Sequence, residues 1–182
     1  MRMRSRLHVR GDDIDSIAEA LSSDADIVVI DLVGVKGEDA RNAIVNKLEN
    51  VEDRTVMVRV NPDEEDMADD LETLSGSTTG IVLPRCEVPV SIEFLSELLE
   101  GIEELHGLEQ GHFRIIPEIG TALGLERAYD IASASDRVLA LTYDEADLAR
   151  DLGIMIPKED SLRPFVARIV QASRAAGTVP LD

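Results

Sequence analysis

Acidic and basic side chains follow the apolar runs of this sequence, at the points where those runs end. In chain order they are Asp31, Arg59, Arg85, Glu118, Asp144 and Asp147. Carboxylate oxygens are the ligands that Mg²⁺ prefers, and the planar guanidinium of arginine pairs with a carboxylate through two parallel hydrogen bonds. This mixture suits a divalent cation beside an anionic, oxygen-rich substrate. An alternative stays open, in which the acids cap helices and the arginines form surface pairs, since 37 of the 182 residues are acidic.

The segments of the sequence that carry these side chains alternate between two hydrophobic periods. Short β-branched runs indicate strands, and stretches with apolar residues three and four apart indicate helices. The predicted strands are Arg6–Val9, Asp26–Leu32, Thr55–Val60, Gly80–Leu83, His112–Ile119 and Arg137–Thr142, with a seventh expected at Thr178–Leu181. Strict alternation of strands and helices predicts an α/β fold with a parallel sheet. Ile27–Ile30 is apolar throughout, as in strands that are buried on both faces.

Two architectures fit this alternation, an open doubly wound sheet and a (β/α) barrel of the TIM type. In both, the chemistry lies at the carboxyl ends of the strands. Residues 34–37, with the sequence GVKG, match neither the dinucleotide-binding pattern nor the P-loop pattern. A nucleotide-binding sheet is therefore the weaker choice. The chain is predicted to form one domain over residues 1–182, because no Gly-, Pro- or Ser-rich linker divides it.

The formal net charge of −19 comes from 37 acidic and 18 basic residues. Such a field repels a phosphate backbone and an anionic bilayer, so we expect neither nucleic acid nor a membrane as partner. No apolar run approaches the roughly 18 residues that a spanning helix needs, and no apolar signal core follows the basic start. These features predict a cytoplasmic protein. The dispersed acidic residues and the scarcity of lysine favour a salt-rich, halophilic cytoplasm, against the alternative of an ordinary acidic protein.

The single cysteine, Cys86, can form no disulfide bond within the chain, and a thiolate zinc site would need more cysteines. No histidine lies near it in the sequence to activate a catalytic thiol. We therefore expect Cys86 to be a small, partly buried residue without a chemical role.

Six blocks of the sequence resemble the HpcH/HpaI aldolase and citrate lyase beta-subunit family, in the order and spacing of that family. The resemblance runs from Arg4 to Asp182. Its first block, Arg4–Gly11, reads RSRLHVRG where the family favours R-S-x-L-F-V-P-G. The other blocks are ADIVVIDL at 25–32, VRVNP at 58–62, GIVLPR at 80–85, TALGL at 121–125 and DLARDLG at 147–153.

This resemblance implies a (β/α)₈ barrel with its site at the carboxyl ends of the strands. Members of the family cleave or form carbon–carbon bonds in acyl-CoA esters or in 2-keto and 2-hydroxy acids, usually with Mg²⁺. The resemblance implies that Arg59 is catalytic and binds the substrate carboxylate, and that Asp147 is a metal ligand. The metal would polarise the keto oxygen and stabilise an enolate as the bond breaks. A small-molecule acid or acyl-CoA substrate and a homo-oligomer are implied in the same way.

The sequence also departs from the family pattern. Asp31 is followed by Leu-Val-Gly where the family has D-L-E-D, so Asp31 alone is retained there. Gly120 aligns with the family's metal-binding glutamate. Arg85 replaces a common lysine and is a second candidate contact for the anion, with a simple surface charge as the alternative. The predicted substrate contacts are therefore Asp31, Arg59 and Arg85.

Two other carboxylates are candidates to replace the missing metal ligand. Glu118 lies two residues before Gly120 on a predicted strand, hence on the same face. Asp144 stands where the family has glycine. Together with Asp147, these two residues form the predicted metal-ligand set.

Length adds a further departure, because a full barrel takes about 250 residues. We expect an incomplete barrel of about six to seven βα units. This expectation, the lost acidic pair and Gly120 favour an alternative function, in which a catalytically degenerate family member acts as a ligand-binding or regulatory subunit. A third alternative is an unrelated open α/β binding module with a reversal in its strand order. A Mg²⁺-dependent carbon–carbon lyase is the leading prediction.

Overall fold

The computed structural model describes residues 3, 5–48, 51, 53–155 and 161–181. The two ends of the predicted family resemblance, Arg4 and Asp182, lie outside the described residues. The chain divides into two compact units. Unit 1 comprises Met1–Val82 and Glu103–Phe113, and unit 2 comprises Leu83–Ile102 and Arg114–Asp182. The single domain expected from the sequence stays a prediction.

The first seven elements of the chain are β1 (Arg6–Arg10), α1 (Ile14–Leu21), β2 (Ile27–Asp31), α2 (Glu38–Leu48), β3 (Thr55–Arg59), α3 (Glu64–Leu71) and β4 (Gly80–Leu83). In unit 1 the strands pair in parallel in their order along the chain, β1 with β2, β2 with β3 and β3 with β4. No reversal of strand order occurs among these pairs. The register places Asp31 between Arg10 and Arg59, at the carboxyl ends of three neighbouring strands.

Strand β2 forms the centre of the unit 1 core. Its residues Ile27, Val28, Val29 and Ile30 have no exposed surface, which agrees with their uninterrupted apolar sequence. Full burial of each such side chain stabilises the fold by roughly 1.5–3 kcal/mol. The buried strand thereby fixes the position of Asp31, its last residue, at the edge of the core.

The remaining elements are α4 (Pro89–His106), β5 (Arg114–Ile119), α5 (Ala122–Glu126), α6 (Ala128–Ala132), β6 (Ala140–Tyr143), α7 (Glu145–Asp151), α8 (Arg163–Ala175) and β7 (Val179–Pro180). In unit 2, β5 pairs with β6 and β6 pairs with β7, again in parallel. Helices α5 and α7 begin at polar caps. The side chain of Thr121 accepts from the N–H of Gly124, and that of Asp144 accepts from the N–H of Asp147, which satisfies amides that lack a helical partner.

The predicted strands all occur, and the expected seventh strand is β7. Two of them begin two or more residues later than predicted. His112 donates its N–H to the carbonyl of Glu109 in a turn, so β5 begins at Arg114. Val138 likewise donates to Ser135 and forms only an isolated bridge, so β6 begins at Ala140. Within the described residues, no helix is long and apolar enough to cross a bilayer.

Candidate functional site

Two of the predicted substrate contacts meet in unit 1. Because β2 and β3 are paired with Asp31 opposite Arg59, their side chains project from neighbouring strand ends. Arg59 Nη1 donates to Asp31 Oδ2 at 3.2 Å and to Oδ1 at 3.3 Å. The side chains are 12% and 28% exposed, respectively. The pair is thus held at the rim of the core, where the Arg59 guanidinium has little freedom to move.

A buried polar network lies behind this pair. The Asp70 carboxylate, on α3, has no exposed surface. Its Oδ1 accepts from Arg41 Nε at 3.1 Å and Nη2 at 2.9 Å. Its Oδ2 accepts from the Asn61 N–H at 2.8 Å and from Asn61 Nδ2 at 2.7 Å. Asp70 therefore fixes Asn61, which follows the end of β3 by two residues.

Asn61 in turn ties the loop after β3 to the loop after β2. Its Nδ2 donates to the carbonyl of Leu32 at 3.0 Å, and its Oδ1 accepts from the N–H of Gly34 at 3.0 Å. Asp31 Oδ1 accepts from the N–H of Val33 at 3.0 Å, within the same loop. The network thus sets the positions of the two segments that flank Arg59 and Asp31.

Sequence reasoning missed Asp70 and Arg41 as parts of this site. The position of Asp70 in the sequence could have indicated its burial. It lies at helical spacing among Met67, Leu71 and Leu74, which are all buried. A carboxylate on a buried stripe needs hydrogen-bond partners. The signal did not identify those partners, because they come from α2 and from the loop after β3.

Unit 2 holds a second cluster, centred on Asp147 in the first turn of α7. Arg85 Nη1 lies 3.4 Å from Asp147 Oδ2, and Arg150 Nη1 lies 2.6 Å from Asp147 Oδ1. The Asp147 side chain is 18% exposed, against 45% for Arg85 and 70% for Arg150. Both oxygens of this carboxylate therefore face a guanidinium. Arg150 was not predicted as a site residue.

Asp144 and Glu118 have different surroundings. Asp144 Oδ1 accepts from the N–H of Asp147 at 2.8 Å and so caps α7. Glu118, near the end of β5, is 2% exposed, and its backbone carbonyl accepts from the N–H of Cys86 at 3.0 Å. The cap function is the alternative that the sequence left open for the acidic residues, and for Asp144 the structure shows it directly.

Gly120 makes room for the Arg85–Asp147 pair. A Cβ atom at this position would lie 3.2 Å from Asp147 Cβ and 3.4 Å from Arg85 Cγ. The distance to Asp147 is shorter than ordinary van der Waals contact, and the distance to Arg85 lies at the lower limit of that range. Arg85 itself has a φ of 52°, in the left-handed region, which for a residue with a side chain is an uncommon conformation. The turn after β4 and the missing side chain at 120 together bring Arg85 to Asp147.

Cys86 is buried, more fully than the partly buried position expected from the sequence. Burial raises the pKa of its thiol to about 12, from an ordinary value of 9.0, because a thiolate would lose its hydration there. The thiolate is the nucleophilic form of cysteine. Burial therefore disfavours the reactive form of Cys86.

The described residues contain no group of three or more His, Cys, Asp or Glu side chains arranged to hold a metal ion. Mg²⁺ often takes only one or two protein carboxylates and completes its shell with water and substrate oxygens. Asp144 caps the helical turn that carries Asp147, and both side chains supply oxygens of the kind that Mg²⁺ takes, although the two oxygens of Asp147 face Arg85 and Arg150. The structure thus brings together Asp31 with Arg59 in unit 1, and Arg85 with Asp144 and Asp147 in unit 2. The roles of these residues and of Glu118 stay predictions.

Comparison with known proteins gives a family match over almost the entire chain. A model of the HpcH/HpaI aldolase/citrate lyase family matches residues 4–182. Citrate lyase subunit beta of Escherichia coli strain K12 is 29% identical over 188 residues, which covers 98% of this chain and 62% of that protein. The chain therefore spans less than two thirds of the length of this curated relative.

Solved structures agree with this match. The citrate lyase beta subunit from Mycobacterium tuberculosis complexed with oxaloacetate and magnesium is similar with a TM-score of 0.75 and 27% identity, over 97% of this chain and 76% of that one. Protein CitE from the same organism, in complex with magnesium, acetoacetate and coenzyme A, has a TM-score of 0.74 and 26% identity, over 99% and 65%. These similarities confirm the predicted TIM-barrel type of α/β fold and overturn the alternative of an unrelated open module. They also confirm that proteins of this kind hold magnesium.

Proposed function

The chain belongs to the HpcH/HpaI aldolase/citrate lyase family, and from this we propose that it is a carbon–carbon lyase or aldolase of the citrate lyase beta type. Its substrate is a small 2-oxo or hydroxy acid or the acyl-CoA ester of such an acid. The observation that carries the proposal is the Arg59–Asp31 pair, because it presents a restrained guanidinium at the carboxyl end of a central strand.

Arg59 is the proposed catalytic residue, which binds the substrate carboxylate. A guanidinium has five N–H donors in a planar fork that matches a carboxylate. Both oxygens of Asp31 accept from Arg59 Nη1, which restrains the guanidinium. The network of Asn61 and Asp70 holds the loops around it. Asp31 therefore acts by orienting Arg59 toward the substrate.

Arg85 is the proposed second contact for the anion. Its side chain is 45% exposed, so a dissolved anion can reach it. Arginine at this position provides two charge-assisted hydrogen bonds to a carboxylate, where lysine provides a point charge. An anion bound here replaces Asp147 as the partner of the guanidinium.

Asp147, Asp144 and Glu118 are the residues proposed to hold Mg²⁺. When bound, the ion polarises a substrate carbonyl and stabilises negative charge that develops on its oxygen. The protein's own part is to keep carboxylate oxygens near that position and to present guanidinium groups to the anionic ends of the substrate. The burial of Glu118 excludes bulk water from that side chain.

Turnover by the full chain tests this proposal. We would incubate the purified chain with Mg²⁺ and a panel of hydroxy-acid acyl-CoA esters and 2-hydroxy acids, and detect the 2-oxo acid and acyl products by mass spectrometry. The expected result is saturable cleavage that falls about 10- to 100-fold in kcat/KM in R59Q, since a hydrogen bond to a charged group contributes about 1.5–3 kcal/mol. Buffers with molar KCl and without it would test the expected salt preference.

R168Q is the matched control, because Arg168 pairs with Glu126 on the exposed surface at 2.8 Å and belongs to neither cluster. It removes one positive charge and should retain full activity. Saturable substrate binding without turnover would favour the ligand-binding alternative instead, and turnover that R59Q leaves unchanged would contradict the assigned role of Arg59. Light scattering on the same samples would test the expected homo-oligomer.

A further inference from the structure

Helix α4 exposes a line of apolar residues on its face in unit 2. Val90 is 61% exposed, and Phe94, about one turn later, is 45% exposed. Gly101 continues this line, and nothing lies within 4 Å of a Cβ atom there, which leaves the backbone open to close approach. Offsets of four and eleven residues place all three on one side of a helix with 3.6 residues per turn. We call these three residues the α4 ridge.

The α4 ridge has an acidic border. Glu93, Glu97 and Glu100 are exposed, and their spacing of four and three residues places them in a second line beside the ridge. The Glu100 side chain is 54% exposed even though Arg137 lies 3.9 Å from it. Helix α4 contains neither lysine nor arginine. A partner that fits this face therefore needs exposed apolar residues next to positive charges.

Helix α8, also in unit 2, has a face of this kind. Residues 161–181 contain three arginines and no acidic residue, in a chain with 37 acidic residues. Arg163, Ala167, Val170 and Arg174 are all exposed and follow one another at steps of four, three and four residues, on one side of the helix. Val170 is 40% exposed. We call these four residues the α8 ridge.

We propose that the α4 ridge of one chain packs against the α8 ridge of a second copy, so that copies associate head to tail. The charges select this pairing. Two α4 ridges would bring glutamates together, and two α8 ridges would bring arginines together. The mixed pairing places apolar residues on apolar residues and opposite charges side by side. The inference does not depend on the lyase function.

Such a contact is heterologous, because it joins two different surfaces. Each bound copy still offers one unpaired ridge of each kind at the two ends of the assembly, so copies add until a ring closes. The net charge of −19 makes copies repel one another at low ionic strength. Salt screens this repulsion, whereas apolar contact survives it. We therefore expect association to be stronger in molar KCl than in dilute buffer.

Sedimentation velocity of the full chain in molar KCl tests the inference. For the wild type we expect a sedimentation coefficient that rises with protein concentration. F94E and V170E each place a charge in one ridge and should weaken association about tenfold or more, as for residues at the centre of an interface. L123E is the matched control, since Leu123 is 43% exposed but lies on α5, outside both ridges.

Mixing the two variants tests the head-to-tail arrangement. F94E keeps the α8 ridge and V170E keeps the α4 ridge, so an equal mixture should form a complex of two chains that grows no further. Circular dichroism checks that both variants are folded, and V90E with A167E is a second pair for the same test. A wild type that stays monomeric at every concentration, or a mixture that forms no complex, overturns the inference.

The charge contribution has its own matched pair. R174Q removes a charge from the α8 ridge and should weaken association. R168Q removes a charge from the same helix, but Arg168 pairs with Glu126 at 2.8 Å and lies off the ridge, so R168Q should associate as wild type does. Equal weakening by R174Q and R168Q would contradict the assigned face of α8.

Discussion

The carboxylates of Asp70 in unit 1 and Asp147 in unit 2 each face arginine, but under opposite conditions. Asp70 has no exposed surface and accepts four hydrogen bonds, two from Arg41 and two from Asn61. Asp147 is 18% exposed, and its two arginine partners are 45% and 70% exposed. A buried charge that loses a partner cannot turn to water, whereas an exposed one can.

This difference assigns different tasks to the two clusters. The Asp70 network has one arrangement, because every change leaves a buried polar group without a partner. It is suited to hold Arg59 and Asp31 in fixed positions. The Asp147 cluster exchanges partners at little energetic cost and is suited to accept ligands.

The largest effect is expected for D70A. Removal of the carboxylate leaves the Arg41 guanidinium, whose side chain is 11% exposed, without its main partner and leaves two Asn61 donors unsatisfied. We expect the free energy of unfolding to fall by about 3–5 kcal/mol, the range for breaking a buried pair. Urea denaturation at constant salt would measure it. D66A is the control, because Asp66 pairs with Lys36 on the surface, and an equal loss in D66A would remove the special status of Asp70.

The pKa of Cys86 tests how well the structure around this buried thiol excludes water. Burial raises this pKa from 9.0 to about 12, so the thiolate fraction at pH 8 is about a thousandfold lower than for an ordinary thiol, at tenfold per unit. We expect alkylation by iodoacetamide to be slower in the folded chain by that order, and to reach the ordinary rate in urea. The folded protein keeps its proton between pH 9 and 12 while the unfolded chain loses it, so this group's contribution to stability declines as pH rises through that window. Rapid labelling at pH 8 in the folded state would show that water and reagent reach Cys86, and would contradict the raised pKa.

G120A measures how closely Arg85 and Asp147 are packed. The added methyl group lies 3.2 Å from Asp147 Cβ, so Asp147 must shift by a few tenths of an ångström, and it lies 3.4 Å from Arg85 Cγ, at the limit of ordinary contact. Overpacking of this kind costs typically about 1–3 kcal/mol, and we expect the lower part of the range because Arg85 is partly exposed. Thermal denaturation would measure the loss. G101A is a suitable control, since nothing lies within 4 Å of a Cβ at Gly101. A stability equal to wild type would mean that the pair is loosely held.

The sequence predicts those features that depend on neighbouring strands. Alternating periods predicted every strand, and the carboxyl ends of these strands included Asp31 and Arg59 among the predicted substrate contacts. The structure shows that these two residues meet, because β2 and β3 are paired neighbours. The family resemblance gave the barrel class and the expectation of magnesium. These predictions needed only local periodicity and the order of the blocks along the chain.

Contacts between helices and loops were not predictable in this way. Asp70, Arg41 and Arg150 reach their partners through side chains whose directions depend on how the helices are seated, which a single sequence does not specify. Gly120 is another residue whose role could not be predicted from the sequence alone. In the sequence Gly120 is a missing ligand, whereas in the structure its missing side chain leaves room beside Asp147 and Arg85. The role of this glycine therefore depends on Arg85, which lies 35 residues away in the sequence.

The smallest effect is expected for D144A, which separates the capping role of Asp144 from its proposed role toward the metal. Its Oδ1 accepts from the N–H of Asp147 at the first turn of α7, and loss of such a cap costs about 1 kcal/mol. D144S keeps a capping oxygen but removes the charge, so it should restore most of the stability measured by urea denaturation. If D144S also retains the wild-type affinity for Mg²⁺, Asp144 acts only as a cap. If D144S regains stability but not metal affinity, the Asp144 carboxylate also binds the ion. The metal site in unit 2 then includes both Asp147 and the residue that caps its helix.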